Sequence, residues 1–219
     1  MIRLAVIATA VFALSSCGNI DTPRFGGDQE LALVKATLAG DAAAVHRLLD
    51  AHADPNVMVE VNDRSQSAWY LALDQVRPDR PVMIDIITTM LRAGANPNAA
   101  WGTGGGDATQ LPQSRWRRFM SGARAASTSP RNPLAVVMLH PAPAAVRALV
   151  AAHIDPRLGQ SALVSAIESG EEEIVHILVD AGVDVNSHTG ANTPLVAAIE
   201  ARNVPLMTYL EEHGAREKP

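Results

Sequence analysis

The chain has 219 residues, 47% of them hydrophobic but only 4% aromatic, and a formal net charge of −5. That length suits one ordinary domain or one short repeat array. The acidic balance, with no basic residues concentrated along the whole chain, excludes a generic nucleic-acid binder. The scarcity of aromatics leaves a core of Ala, Leu, Val and Ile, a mixture suited to closely packed helices.

Met1-Ile2-Arg3 is a short positive start, followed by an unbroken apolar run from Leu4 to Leu14. The run is too short for a membrane span, which needs ~20 apolar residues. It matches the apolar centre of a secretory signal, ~7–15 residues long. Ser15 and Ser16 lead into Cys17, the single cysteine of the chain. Leu14-Ser15-Ser16-Cys17 resembles the lipobox of bacterial lipoproteins, whose cysteine is acylated and becomes the new N-terminus. The resemblance implies a signal peptide over residues 1–16, lipidation at Cys17 and a polar tether over 17–27 containing Pro23, Gly26 and Gly27. Gly18, rather than Asp, resembles the outer-membrane class. The expectation is a periplasmic body anchored to the outer membrane by lipid, each buried CH₂ contributing about 0.8 kcal/mol. With its cysteine committed to lipid, the fold has to hold by packing without disulfides.

Residues 28–215 read as repeats. Leu48-Leu49-Asp50-Ala51-His52-Ala53-Asp54-Pro55-Asn56 is followed by Met90-Leu91-Arg92-Ala93-Gly94-Ala95-Asn96-Pro97-Asn98. Two further copies end at Asp155-Pro156 and at Asp184-Val185-Asn186, and a truncated fifth is Tyr209 to Ala215. The matching first halves are Thr193-Pro194-Leu195-Val196-Ala197-Ala198 and weaker versions beginning at Ser161, Asn132, Ser67 and Ala32. These stretches resemble the T-P-L-H-x-A and LL-x-x-G-A-D-x-N signatures of ankyrin repeats, with a period near ~33 residues. The resemblance implies an all-α solenoid of about five helix-turn-helix units with β-turn fingers, and residues 216–219 as a tail. Thr193-Pro194 fits a capped helix start. Ala39-Gly40-Asp41 and Ser169-Gly170-Glu171 fit the turn between the two helices of a unit. Gly94 and Gly182 occupy the helix end that favours left-handed backbone. His52 and His153, at the same position in other copies, belong to a residue type enriched in that region. Trp69 stands at the buried Leu position of the repeat, and Tyr70, at the His position, is expected nearer the surface.

No constellation for catalysis stands out, and no cofactor or metal is expected. Gly102-Thr103-Gly104-Gly105-Gly106 lacks the Lys-Ser/Thr of a phosphate loop and reads as a flexible loop. The seven His lack metal-ligand spacing, with His46 and His176 on a solvated helix face, and no second cysteine could complete a thiolate site. Glu171-Glu172-Glu173 complements the positive end of a helix. No G-x-S-x-G elbow occurs.

Departures from the repeat carry the functional expectation. An insertion of about residues 99–131 is far longer than an ankyrin turn, and loops beyond ~12–15 residues are often functional. It contains Trp101 and then Ser114-Arg115-Trp116-Arg117-Arg118-Phe119-Met120. On a helix, Trp116, Phe119 and Met120 share one face. Trp and Arg are enriched at binding hot spots. Tyr70, Trp101, Arg115, Trp116, Arg117, Arg118 and Phe119 are the candidate partner contacts, toward an acidic protein or anionic headgroups; the alternative is that these aromatics dock on the array itself. Val76-Arg77-Pro78-Asp79-Arg80-Pro81 lengthens one turn, and the finger from Val59 to Ser65 is also long. The whole pattern resembles small periplasmic immunity proteins, some of ankyrin type paired with phospholipase effectors of type VI secretion. It also resembles periplasmic ankyrin proteins of envelope stress protection linked to peroxide resistance. A monomer is expected, because a solenoid completes its core without a second subunit.

Overall fold

The computed structural model describes residues 27–61, 64–98, 132–187 and 193–216. Ten α-helices fall among the described residues, in five consecutive pairs. Helices α1 (Asp28–Ala39) and α2 (Ala42–Asp50) form the first pair, α3 (Ala68–Asp74) and α4 (Val82–Arg92) the second. Next come α5 (Pro133–Val137) with α6 (Pro143–Ala151), then α7 (Gln160–Glu168) with α8 (Glu172–Asp180). The last pair is α9 (Pro194–Glu200) and α10 (Val204–Glu212). The first helices of the pairs pack in the order α1, α3, α5, α7, α9, and the second helices in the order α2, α4, α6, α8. This is the expected solenoid: an inner layer of short helices backed by an outer layer. No helix among the described residues is long and apolar enough to cross a membrane.

Five of the helices start where a side chain takes over orphan backbone donors. Asp41, Ser67, Asn132, Thr193 and Asn203 accept from the N–H groups of Ala44, Tyr70, Leu134, Val196 and Leu206. The inner helices bury one large residue at the Leu position: Leu33, Trp69, Leu134, Leu163 and Leu195, none more than 2% exposed. Three residues on stand Ala36, Ala72, Ala166 and Ala198, whose small side chains let neighbouring inner helices approach. The outer helices bury apolar stripes, Val45 with Leu49 and Ile174 with Leu178, while Leu48 and Ile177 are half-buried.

Backbone handedness closes each unit. His52, Gly94, His153, Gly182 and Gly214 end the outer helices at φ 66°, 98°, 58°, 85° and 89°, so the two His occupy the left-handed position that glycine fills elsewhere. In the inner-to-outer turn, Arg202 sits at φ 53° where Gly40 and Gly170 stand in other units. Nothing in the local sequence flags that arginine. The long turn after α3 is confirmed and braced: Arg77 donates to the Asp74 and Val76 carbonyls, and Arg80 to Gln75 Oε1 at 2.7 Å. The long first finger forms an antiparallel ribbon, β1 (Met58–Val61) against β2 (Arg64–Ser67), with Met58 opposite Ser67.

Stacking runs through the insertion without a break. Helix α5 packs on both α3 and α7, and α6 on both α4 and α8. Whatever residues 99–131 do, the array before and after them is one stack.

Candidate protein-interaction surface

Three of the four seams between units are bridged along the finger edge by a recurring asparagine. Asn56 donates through Nδ2 to the Gly94 carbonyl at 2.9 Å and accepts from the Asn96 N–H at 2.9 Å. Asn98 does the same to the His153 carbonyl and the Asp155 N–H, at 3.0 and 2.6 Å. Asn186 repeats it on Gly214 and Arg216, both at 2.9 Å. Each rung is held by the residue two positions earlier: Asp54, Asn96 and Asp184 accept from the N–H of the rung asparagine at 2.8–2.9 Å. The A-D-x-N ending therefore has a mechanical meaning. Its first polar residue closes an Asx turn, and its last carries a carboxamide that both donates and accepts. Sequence reasoning quoted these asparagines without assigning that role; their recurrence two residues after Asp or Asn was the available signal.

The rungs place the ends of the insertion. Asn98, its last preceding residue, is tied to the third unit through His153 and Asp155. Asn132 caps α5 and donates to the Leu158 carbonyl. Both ends thus attach to the finger edge of the third unit. Cys17, Trp101, Gly102 to Gly106, Arg115, Trp116, Arg117, Arg118 and Phe119 lie outside the described residues.

Tyr70 is described, and its expected position near the surface is corrected: it is only 3% exposed. Every residue from Ser67 to Leu73 is buried, because α3 packs against α1, α4 and α5 and follows directly from β2. Tyr70 meets Trp69 edge-on with ring centroids 6.3 Å apart, a favoured arrangement of aromatic quadrupoles. Trp69, fully buried, is core as expected.

Charged groups of the outer layer staple successive helices. His46 Nε2 lies 3.2 Å from Asp85 Oδ2 and 3.1 Å from Thr89 Oγ1. Arg147 pairs with Glu173, and Glu172 accepts from Asn203 at 2.7 Å. The Glu171–Glu173 run therefore sits at the start of α8 and bonds to the units on either side. Tyr209 packs between His176 and His213, with centroids 4.1 and 4.2 Å away, and its hydroxyl donates to Asp180 at 3.4 Å. Burial, the Asp180 charge and that hydrogen bond together raise its pKa above the ordinary 10.0. Residues 160–216 carry nine acidic and two basic side chains, a balance of −7 against −5 for the whole chain. Among the described residues no group of three or more His, Cys, Asp or Glu is placed to hold a metal ion.

A stack of helix pairs, bridged along one edge and differing in its turns, is the kind of extended surface that solenoids use for contact with other polypeptides. Residues 126–218 match the family model for ankyrin repeats, in three copies. A stretch of 56 residues, 26% of this chain, is 43% identical to the ankyrin repeat domain-containing protein SAT10 of Stachybotrys chartarum. The chain spans 3% of that relative's length. The fold is an ankyrin-repeat solenoid, an architecture of protein-interaction modules.

Proposed function

We propose that this chain is a lipid-anchored, periplasmic protein-binding module, and that its partner is a secreted toxin of the kind represented by type VI phospholipase effectors. The observation that carries the reading is that the stack is unbroken between the units on either side of the insertion. Its ends at Asn98 and Asn132 are tied to one edge of the third unit while α3–α5 and α4–α6 packing continues. An insertion across which the helices still stack, and whose sequence carries Trp and Arg, can vary toward one partner. Blockade of the toxin's active-site mouth requires no chemistry from the inhibitor, and opposite charge on the partner would speed encounter. The lipobox-like Leu14-Ser15-Ser16-Cys17 supports the anchor.

Affinity capture from periplasm and secreted fractions tests this reading, with a soluble form beginning after Cys17 beside one in which residues 101–130 are replaced by a short turn. One stoichiometric toxin, retained by the first and lost by the second, is the expected result. Equal capture of resident envelope proteins by both forms refutes the toxin reading and favours a scaffold of envelope stress protection. Metabolic labelling with a fatty acid, incorporated by the wild type and not by Cys17→Ser, tests the anchor separately.

A further inference from the structure

The asparagine rungs define a ligand chemistry. At three seams one primary carboxamide spans a fixed backbone pair: the carbonyl of the left-handed residue and the N–H two positions on. The fourth unit presents the same pair, the Gly182 carbonyl and the Asp184 N–H. Gly182 has φ 85°, within the 58–98° range of the three bridged residues. Asp184 closes the same Asx turn onto Asn186, and both Gly182 and Asp184 are exposed.

The residue in register to form this rung is Arg157. Its backbone is in the same place as the rung asparagines, its N–H donating to Asp155 Oδ1 at 2.9 Å. A guanidinium has donors only and cannot accept from the Asp184 N–H. Among the described residues no side chain bonds either group. The two segments are nevertheless adjacent, since a Cβ on Gly159 would press into Val183. The third unit also has no finger: Asp155 leads through a 3₁₀ turn, Pro156–Gly159, directly into α7. Beside it opens a shallow cleft of about 480 Å³ lined by Asn98, Val150, His153, Ile154, Asp155, Pro156 and Ala181, the last adjoining Gly182 in the chain.

We propose that the Gly182 carbonyl and the Asp184 N–H, with this cleft, form a recognition notch for a partner segment that offers an Asn or Gln carboxamide. The carboxamide donates to Gly182 and accepts from Asp184, as Asn56, Asn98 and Asn186 do within the chain, and its neighbours pack on Val150, Pro156 and Ala181. A carboxylate in its place cannot donate and meets the Asp184 side chain as a like charge. The notch depends neither on the partner being a toxin nor on the lipid anchor.

The test is ¹⁵N NMR of the full chain, titrated with N-acetyl-asparagine N′-methylamide and with its aspartate counterpart. The expected result is a saturable shift of the Asp184 amide with the asparagine compound, at a dissociation constant on the order of millimolar. The aspartate compound should act at least about tenfold more weakly, the scale of one lost hydrogen bond. Arg157→Asn supplies the carboxamide from within the chain: it moves the Asp184 resonance without any compound and abolishes the response. Arg157→Ala, which cannot fill the notch, keeps the response. An Asp184 amide unmoved by the asparagine compound, equal responses to both compounds, or an undiminished response in a folded Arg157→Asn would overturn the proposal.

Discussion

Asn98 joins the two halves of the array across the insertion, so Asn98→Ala measures what a rung contributes where it matters most. The side chain makes two hydrogen bonds, 3.0 Å to the His153 carbonyl and 2.6 Å from the Asp155 N–H. A typical intramolecular hydrogen bond contributes a net ~1 kcal/mol. Both groups lie at an exposed edge where water can replace the lost partner, which sets the expected loss at about 1–2 kcal/mol. For a domain of this size each kcal/mol moves the melting temperature by about 2–4 °C, giving a fall of roughly 2–8 °C. The apolar contacts of α3 with α5 and α4 with α6 remain, so the array stays one cooperative unit. Urea unfolding followed by circular dichroism gives the stability, and amide hydrogen exchange at Asp155 gives the local effect. Asn98→Asp separates the two bonds: its carboxylate still accepts from Asp155 but repels the His153 carbonyl oxygen. Exchange at Asp155 should therefore accelerate in Asn98→Ala and stay slower in Asn98→Asp, although Asn98→Asp is no more stable. Unchanged stability, within about 0.3 kcal/mol, and unchanged Asp155 exchange in Asn98→Ala would refute the rung as a stabilising device.

Three further perturbations test the local geometry. Gly94→Ala places a Cβ with no atom within 4 Å but at φ 98°, so it should lose about 1 kcal/mol of unfolding free energy from backbone strain alone; no change in the urea midpoint would deny the left-handed helix end. Gly159→Ala presses into Val183 and should cost about 1–3 kcal/mol by overpacking. Adding Val183→Ala, which costs stability by itself, should recover part of that loss, and a double-mutant cycle with zero coupling would remove the contact from the account. The raised Tyr209 pKa means that the folded state resists ionisation: its contribution is complete below pH 10.0 and is lost as pH climbs through the higher folded value. Tyr209→Phe should therefore flatten the alkaline limb of a stability–pH curve relative to wild type, and parallel curves above pH 10 would show that its burial and Asp180 contact do not act on it.

The repeat pattern was legible because each copy restates the same physical needs. Leu33, Leu134, Leu163 and Leu195 mark the inner core, and His52 and His153 betray a left-handed position that glycine shows openly elsewhere. Trp69 was assignable to the core because it stands in that Leu register. Tyr70 was misplaced because a family position that is often polar says nothing about how tightly this particular helix is enclosed; α3 is wrapped by α1, α4 and α5. Arg202 at φ 53° was invisible because side-chain preference does not signal it: the turn is closed by backbone bonds from the Arg202 and Asn203 N–H groups to the Ile199 and Ala198 carbonyls, as at Gly40 and Gly170. The seam bonds of Asn56, Asn98 and Asn186 span 28 to 57 residues, and local pattern reading does not reach that far.

Beyond the long first finger and the long turn after α3, three departures from regularity fall on the third unit, and solenoid energetics explain why it tolerates them. Stability in such an array is approximately a sum of unit terms and nearest-neighbour terms, so a unit with two neighbours loses a smaller share of its support when one contact is altered than a terminal unit does. The third unit receives both ends of the insertion at Asn98 and Asn132, lacks a finger, and offers Arg157 where a rung asparagine would stand. Its seam to the fourth unit is closed instead by the tight approach of Gly159 to Val183 and by the Arg147–Glu173 pair on the outer layer. Substituting close packing and an ion pair for the rung leaves the Gly182–Asp184 backbone pair open at the surface while the helices stay stacked. A partner reading this edge would therefore meet a rigid backbone pair on a well-supported unit, with the insertion attached a single seam away.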